Sequence, residues 1–132
     1  MFTISKRLGA DTTAQEFYLL TDGEGSTLGE VLVQSSGRLT KCGATATPEF
    51  LALKTQTAET SSVTPIPVMR LTEEMEFETT SSATVATSLI GAKVTIGSDG
   101  LTCTATTASG VFEVTNTNGA TTTSTVRGMF RR

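Results

Sequence analysis

Three glutamates spaced two apart, Glu74, Glu76 and Glu78, are the closest this chain comes to side chains arranged for chemistry. Residues two apart share one face of a strand, so carboxylates at this spacing could do acid–base work or hold a cation. The same spacing describes the solvated outer face of a strand, whose negative row deters edge-to-edge pairing, and that is the reading we expect. The other candidates are thinner. Asp22, Glu24 and Ser26 alternate as oxygen donors do in a calcium loop, but the further ligands and the closing glutamate are missing. The stretch DGEGSTLG holds neither GxGxxG nor a Gly-Lys-Ser/Thr ending and leads into a strand, so it reads as a turn and not as a phosphate cradle. Cys42 and Cys103 have no CxxC spacing and no imidazole to activate them, and both read as reduced, half-buried thiols. Histidine is absent, which removes the commonest general base and most zinc sites. We therefore expect a protein that is not an enzyme and uses no cofactor or metal.

The elements that must position any site are strands. With 132 residues the chain fits one domain with its own core. Threonine is roughly one residue in five, a composition that suits pleated surfaces. Tryptophan is absent and Tyr18 is the only tyrosine, so the core is expected to be built from Val, Leu, Ile and Phe. A formal charge of −3 with no long basic run argues against direct contact with nucleic acid. No run of about 18 apolar residues could span a bilayer, and Met1-Phe2-Thr3-Ile4 is too short for a signal-peptide core, so the chain reads as cytosolic and soluble.

The sharpest pattern is AKVTIGSDGLTCTATTASGVFEVTN, residues 92–116. It predicts a three-stranded meander, with Val94 and Ile96, then Leu101, Cys103 and Ala105, then Phe112 and Val114 as its apolar faces, turned at Asp99-Gly100 and Ser109-Gly110. A second hairpin is expected from Glu30–Gln34 and Arg38–Cys42, joined by Ser35-Ser36-Gly37. Residues 16–20, EFYLL, lean to strand, although Thr13 and Glu16 have capping-box spacing. FLALKTQT reads as a strand buried on both sides, with a helix begun at Thr47-Pro48 as its alternative. Pro65 and Pro67 confine the next run to an edge strand or to the beginning of a strand. Ser82–Ile90 allows one short helix, and Gly119–Val126 is the expected last strand. The fold class is therefore all-β, a compact antiparallel β-barrel or β-sandwich with Gly-turned hairpins and at most one short helix.

Three segments in order, GEVLVQSSGRLTKC, TPIPVMRLTEEMEFET and LIGAKVTIGSDGLTCTATTASGVFEV, resemble the build of small decoration (cement) and auxiliary proteins of tailed-bacteriophage heads. The resemblance covers roughly residues 29–114 and contains no catalytic signature. It implies a compact β protein on the exterior of the virion head, made in the host cytoplasm, that binds the major capsid protein and reinforces contacts between capsid subunits. Self-association as a trimer stays open. The alternatives are a receptor- or carbohydrate-binding fibre or tip module of a virion, which would usually show exposed stacking aromatics, and a small β-barrel enzyme using Glu74, Glu76 and Glu78. Residues 1–12 read as an N-terminal arm and 127–132 as a C-terminal tail, with Met1, Phe2, Ile4, Lys6, Arg7, Arg127, Met129, Phe130, Arg131 and Arg132 as the expected partner contacts.

Overall fold

A computed structural model of the protein describes residues 1–7 and 14–131. The chain is all-β, as expected, and of the two architectures it is the sandwich: two antiparallel sheets of five strands, not closed into a barrel. The strands are β1 (Thr3–Arg7), β2 (Gln15–Tyr18), β3 (Val31–Ser35), β4 (Arg38–Lys41), β5 (Phe50–Ala52), β6 (Ile66–Arg70), β7 (Met75–Thr80), β8 (Lys93–Val94), β9 (Phe112–Thr117) and β10 (Thr125–Phe130). One sheet runs β1-β7-β10-β9-β8 and the other β2-β6-β5-β3-β4. The chain thus leaves the first sheet after one strand, completes the second, and returns.

The β3–β4 hairpin forms as its sequence predicts. Ser35 faces Arg38 across the two-residue loop Ser36-Gly37, both of which have positive φ, 51° and 78°, the twist that matches the flanking strands. Phe50, Leu51 and Ala52 are all buried, because the second sheet is covered on both faces. Leu51 joins Val31 and Met69 in the core between the sheets. Phe50 and Ala52 join Leu32, Ile66 and Val68 in a smaller core on the other side. Loops roof that second core: Ser26 and Gln56 exchange two backbone hydrogen bonds of 2.9 Å, and the Gly23 N–H donates to Glu59.

Several expectations are corrected. The meander does not form as a run of three strands: β9 pairs with β8 and β10, while Cys103 makes only isolated bridges to Ile96 and Ser81. The reason is that the Leu101–Ala105 run is drawn to the end of β7, where the Ser82 N–H donates to Cys103 O and the Thr79 hydroxyl to Leu101 O at 2.8 Å. β6 is not an edge strand, since β2 and β5 flank it. Pro67 is tolerated because it lies near the strand's beginning and its ring nitrogen faces Leu53, just past the end of β5, where its carbonyl accepts the Leu53 N–H. The expected helix is a single 3₁₀ turn, Thr87–Leu89. The last strand begins six residues later than expected, at Thr125, and ends four later, at Phe130. Glu76 is buried instead of solvated, held between Lys6 Nζ at 3.8 Å and the Thr115 hydroxyl at 2.8 Å.

The ends are corrected most. β1 pairs with β7, and β10 lies between β7 and β9 in the middle of its sheet, so among the described residues neither terminus is a free arm or tail. The cause is a cluster of phenyl rings. Phe2 packs 5.5 Å from Phe112 and 5.2 Å from Phe130, and Phe130 packs 5.3 Å from Phe77 and 5.1 Å from Phe112. All four are buried. Gly128 makes the approach possible: a Cβ there would meet the Glu113 carbonyl and come within 2.8 Å of the Phe112 ring. Residues 8–12 of the expected arm, Thr13 of the expected cap and Arg132 lie outside the described residues. Phe2→Ala is expected to destabilise the fold by about 3 kcal/mol, the scale of removing a buried phenyl, in urea denaturation. A residue on a free arm would change stability by less than about 0.5 kcal/mol.

Candidate functional site

The two sheets do not cover each other completely. At the side where β1 edges one sheet and β2 edges the other, the described residues leave the inner face of the second sheet uncovered. Register places its side chains. Phe17 faces Pro67, and Gln15 faces Met69, so Phe17, Pro67 and Met69 share one face. Met69 lines the floor of a groove of about 290 Å³ between that face and β1, with Leu51 beside it and Ile4, Leu28 and Leu53 on the walls. Five large apolar side chains stand exposed along this side: Phe17 at 63%, Met1 at 51%, Leu28 at 47%, Ile4 at 38% and Leu53 at 37%. Scattered apolar residues are ordinary on a surface, but a contiguous patch marks a contact.

The wall carrying Leu28 is fixed by tight packing. Gly29 has φ 82° and lies under the Met1 side chain, with no room for a Cβ. The Phe2 N–H donates to Gly29 O at 3.0 Å, and the Met1 ammonium donates to Leu101 O at 2.6 Å. Partial burial lowers the pKa of that ammonium, and Asp99 opposes the shift. Next to it, Glu30 is buried with Lys41 Nζ at 3.5 Å. Burial pushes the Glu30 carboxyl above its ordinary range, and Lys41 pulls the other way.

Charge is distributed differently on the outer face of the β1 sheet. Lys6 on β1 pairs with Glu76 on β7 at 3.8 Å, Glu78 on β7 with Arg127 on β10 at 2.9 Å, and Glu113 on β9 with Arg131 at 4.0 Å. Glu113 is also the register partner of Lys93 on β8. Sign therefore alternates from strand to strand, positive, negative, positive, negative, positive.

The nine described residues among the ten expected to make partner contact thus separate into two groups. Met1, Ile4, Lys6 and Arg7 gather along the β1 edge, with Phe2 buried beneath them. On the other group, Met129 and Phe130 are buried, and Arg127 and Arg131 are taken up by their own sheet. Sequence reasoning missed Phe17, Leu28 and Leu53. In the sequence Phe17 and Leu53 belong to runs that look like core, and Leu28 lies in a turn, so no local signal marked them.

The residues weighed for chemistry are occupied in other ways. Asp22 accepts from Arg38 and from the Ser62 N–H, each at 2.7 Å. Glu24 accepts from the Thr40 hydroxyl, and the Ser26 hydroxyl donates to Lys54 O. Among the described residues, no three His, Cys, Asp or Glu side chains converge as metal ligands. Both cysteines are buried and unpaired, and burial pushes each thiol up to about 12. A cleft of about 530 Å³ is lined by residues that include Glu49, Arg70, Thr72 and Glu73. Its arginine is already engaged, pairing with Glu16 at 3.1 Å and lying 4.7 Å over the Phe50 ring. Compared with known protein families, curated proteins and solved structures, the chain matches none.

Two measurements check this electrostatic picture. At pH 8 the native protein is expected to resist a thiol reagent that labels both cysteines quickly once it is unfolded in urea, because only the thiolate reacts. Fast labelling of the native protein would contradict buried, inert thiols. For Glu30, a folded pKa above the unfolded one means that the native state holds the proton more tightly. Its contribution to stability is therefore full below the ordinary carboxylate range and is lost as pH rises through the raised value. The difference in urea midpoint between wild type and Glu30→Gln should drift with pH across that window; a constant difference would show that the carboxyl is unshifted.

Proposed function

We propose that this chain is a non-enzymatic structural protein that binds the outer surface of a tailed-phage head, contacts the major capsid protein through the open side of the sandwich, and stabilises contacts between capsid subunits. The observation that carries the reading is the gathering of four exposed apolar side chains, Met1, Ile4, Leu28 and Leu53, around one groove, with exposed Phe17 on the same face of the second sheet. Such a surface loses water favourably against another protein, at roughly 25 cal/mol per Å² of apolar area removed from solvent. The head as the particular partner rests on the resemblance of the three quoted segments, and an all-β sandwich agrees with that expectation.

The groove also weighs against the glycan-binding alternative. Sugars are held by flat exposed rings together with convergent hydrogen-bonding groups, whereas this groove is walled by Met, Ile and Leu side chains. The reading is tested by co-sedimentation with purified heads of the phage that encodes the chain. Wild type is expected to bind saturably. The double substitution Phe17→Ser, Leu53→Ser should weaken binding by at least about tenfold, the scale of losing interface anchors, with the fold retained at modest cost in stability, because Phe17 is 63% and Leu53 37% exposed. Full binding by the folded double variant would remove the open side from the contact.

A further inference from the structure

We infer that the free edge of β1 takes up an extended segment of alternating acidic and apolar residues from the partner protein as a sixth strand of its sheet. This rests on the reading that the open side is the docking surface, and it specifies how that surface is filled.

The edges of the two sheets differ in how they are guarded. β8 has only two ladder residues. β4 is covered by the preceding loop, where Leu39 donates to Leu19 O and accepts from the Thr21 N–H. β2 has four residues, half of them partly buried, whereas β1 is five residues long, exposed throughout, and among the described residues has β7 as its one neighbour. A strand edge of this kind presents unpaired backbone donors and acceptors to another chain.

Geometry and charge then define the occupant. A strand beside β1 sends alternate side chains to opposite faces. Its inward side chains enter the groove between Ile4 and Leu53, where the lining is apolar. Its outward side chains lie beside Lys6. Along this outer face each strand opposes the sign of its neighbour, and β1 is a positive strand, so the next one is negative. Arg7, the other cation of β1, turns instead to the inner face, where its guanidinium lies 3.9 Å from Met69 Sδ. The same cations disfavour a second copy of this chain. Pairing β1 with itself would bring like-charged Lys6 and Arg7 side chains together, the usual guard of an edge against self-association.

The test uses synthetic peptides of about ten residues, a length that spans one strand edge. One alternates glutamate with valine, and one alternates lysine with valine. Two more are glutamate–valine peptides N-methylated on one or the other alternate set of amides. The glutamate–valine peptide is expected to bind, to weaken at least about fivefold between low and high salt, and to slow amide hydrogen exchange along Thr3–Arg7. The lysine peptide should not bind. Methylating the amides on the pairing edge should abolish binding and methylating the other set should leave it nearly intact, because only one edge of an added strand pairs. Lys6→Gln should weaken the glutamate peptide while leaving the fold intact by circular dichroism, and Lys6→Arg, which keeps the charge, should bind it nearly as well as wild type.

No binding by the glutamate peptide, equal effects of the two methylated sets, or exchange protection of β1 that grows with protein concentration in the absence of peptide each overturns the inference, the last because a second copy then fills the edge. The two levels separate cleanly. Heads that bind through Phe17 and Leu53 while the peptide fails leave the docking surface standing and remove strand addition. Heads indifferent to Phe17→Ser, Leu53→Ser remove the docking surface, and with it the partner segment inferred here.

Discussion

The packing of four phenyl rings, Phe2, Phe77, Phe112 and Phe130, is the contact on which the rest of this sandwich depends. Their centroids lie 5.1–5.5 Å apart in tilted and edge-on arrangements, the geometries that aromatic quadrupoles favour. Because the rings come from the first residues, from β7, from β9 and from β10, the cluster ties both ends of the chain into one sheet. Gly128 is the condition for it, since β10 can approach β9 this closely only without a side chain at that position.

Anchoring Phe2 has a consequence for the surface. Once its ring is buried, the residues that follow must run along β7 as an edge strand, and Ile4 is carried past the rim of the core. The second sheet extends beyond that rim through β6 and β2, so Met69, Pro67 and Phe17 face an opening that no strand of the first sheet fills. The groove thus lies where β1, the edge of the first sheet, leaves part of the second sheet's inner face uncovered among the described residues. On the outer face the same sheet carries alternating charge, whereas the exposed side chains of Met1, Ile4, Leu28 and Leu53 gather on the open side.

The second sheet shows how a chain with few aromatic residues fills its volume. Buried on both faces, it uses Leu51 and Met69 toward the first sheet and Phe50 and Val68 toward the loops. The polar loops can serve as a roof because their acids are spent on local bonds: Asp22 on Arg38 and Ser62, Glu24 on Thr40, and Glu59 on Thr64. Its bonds to Thr64 hold the Glu59 carboxyl below its ordinary range.

The sequence by itself determined the all-β class, the Ser36-Gly37 hairpin and the double burial of Phe50–Ala52. Each rests on local physics: period-two alternation, positive φ in a short turn, and a continuous apolar run. It also determined that nothing in the chain has the spacing of a common catalytic or metal motif. What only the tertiary structure decided depends on contacts distant in sequence. Phe2 and Phe130 look alike whether they belong to a free end or to a core, and the choice is made by Phe77 and Phe112, tens of residues away. Glu76 alternates like a solvated residue and becomes buried because Lys6 and Thr115 close over it. Phe17 and Leu53 belong to runs that read as core, and they are exposed because the facing sheet ends at β1. A strand's pattern shows that it has an apolar face; which part of that face remains uncovered is set by the width of the opposing sheet.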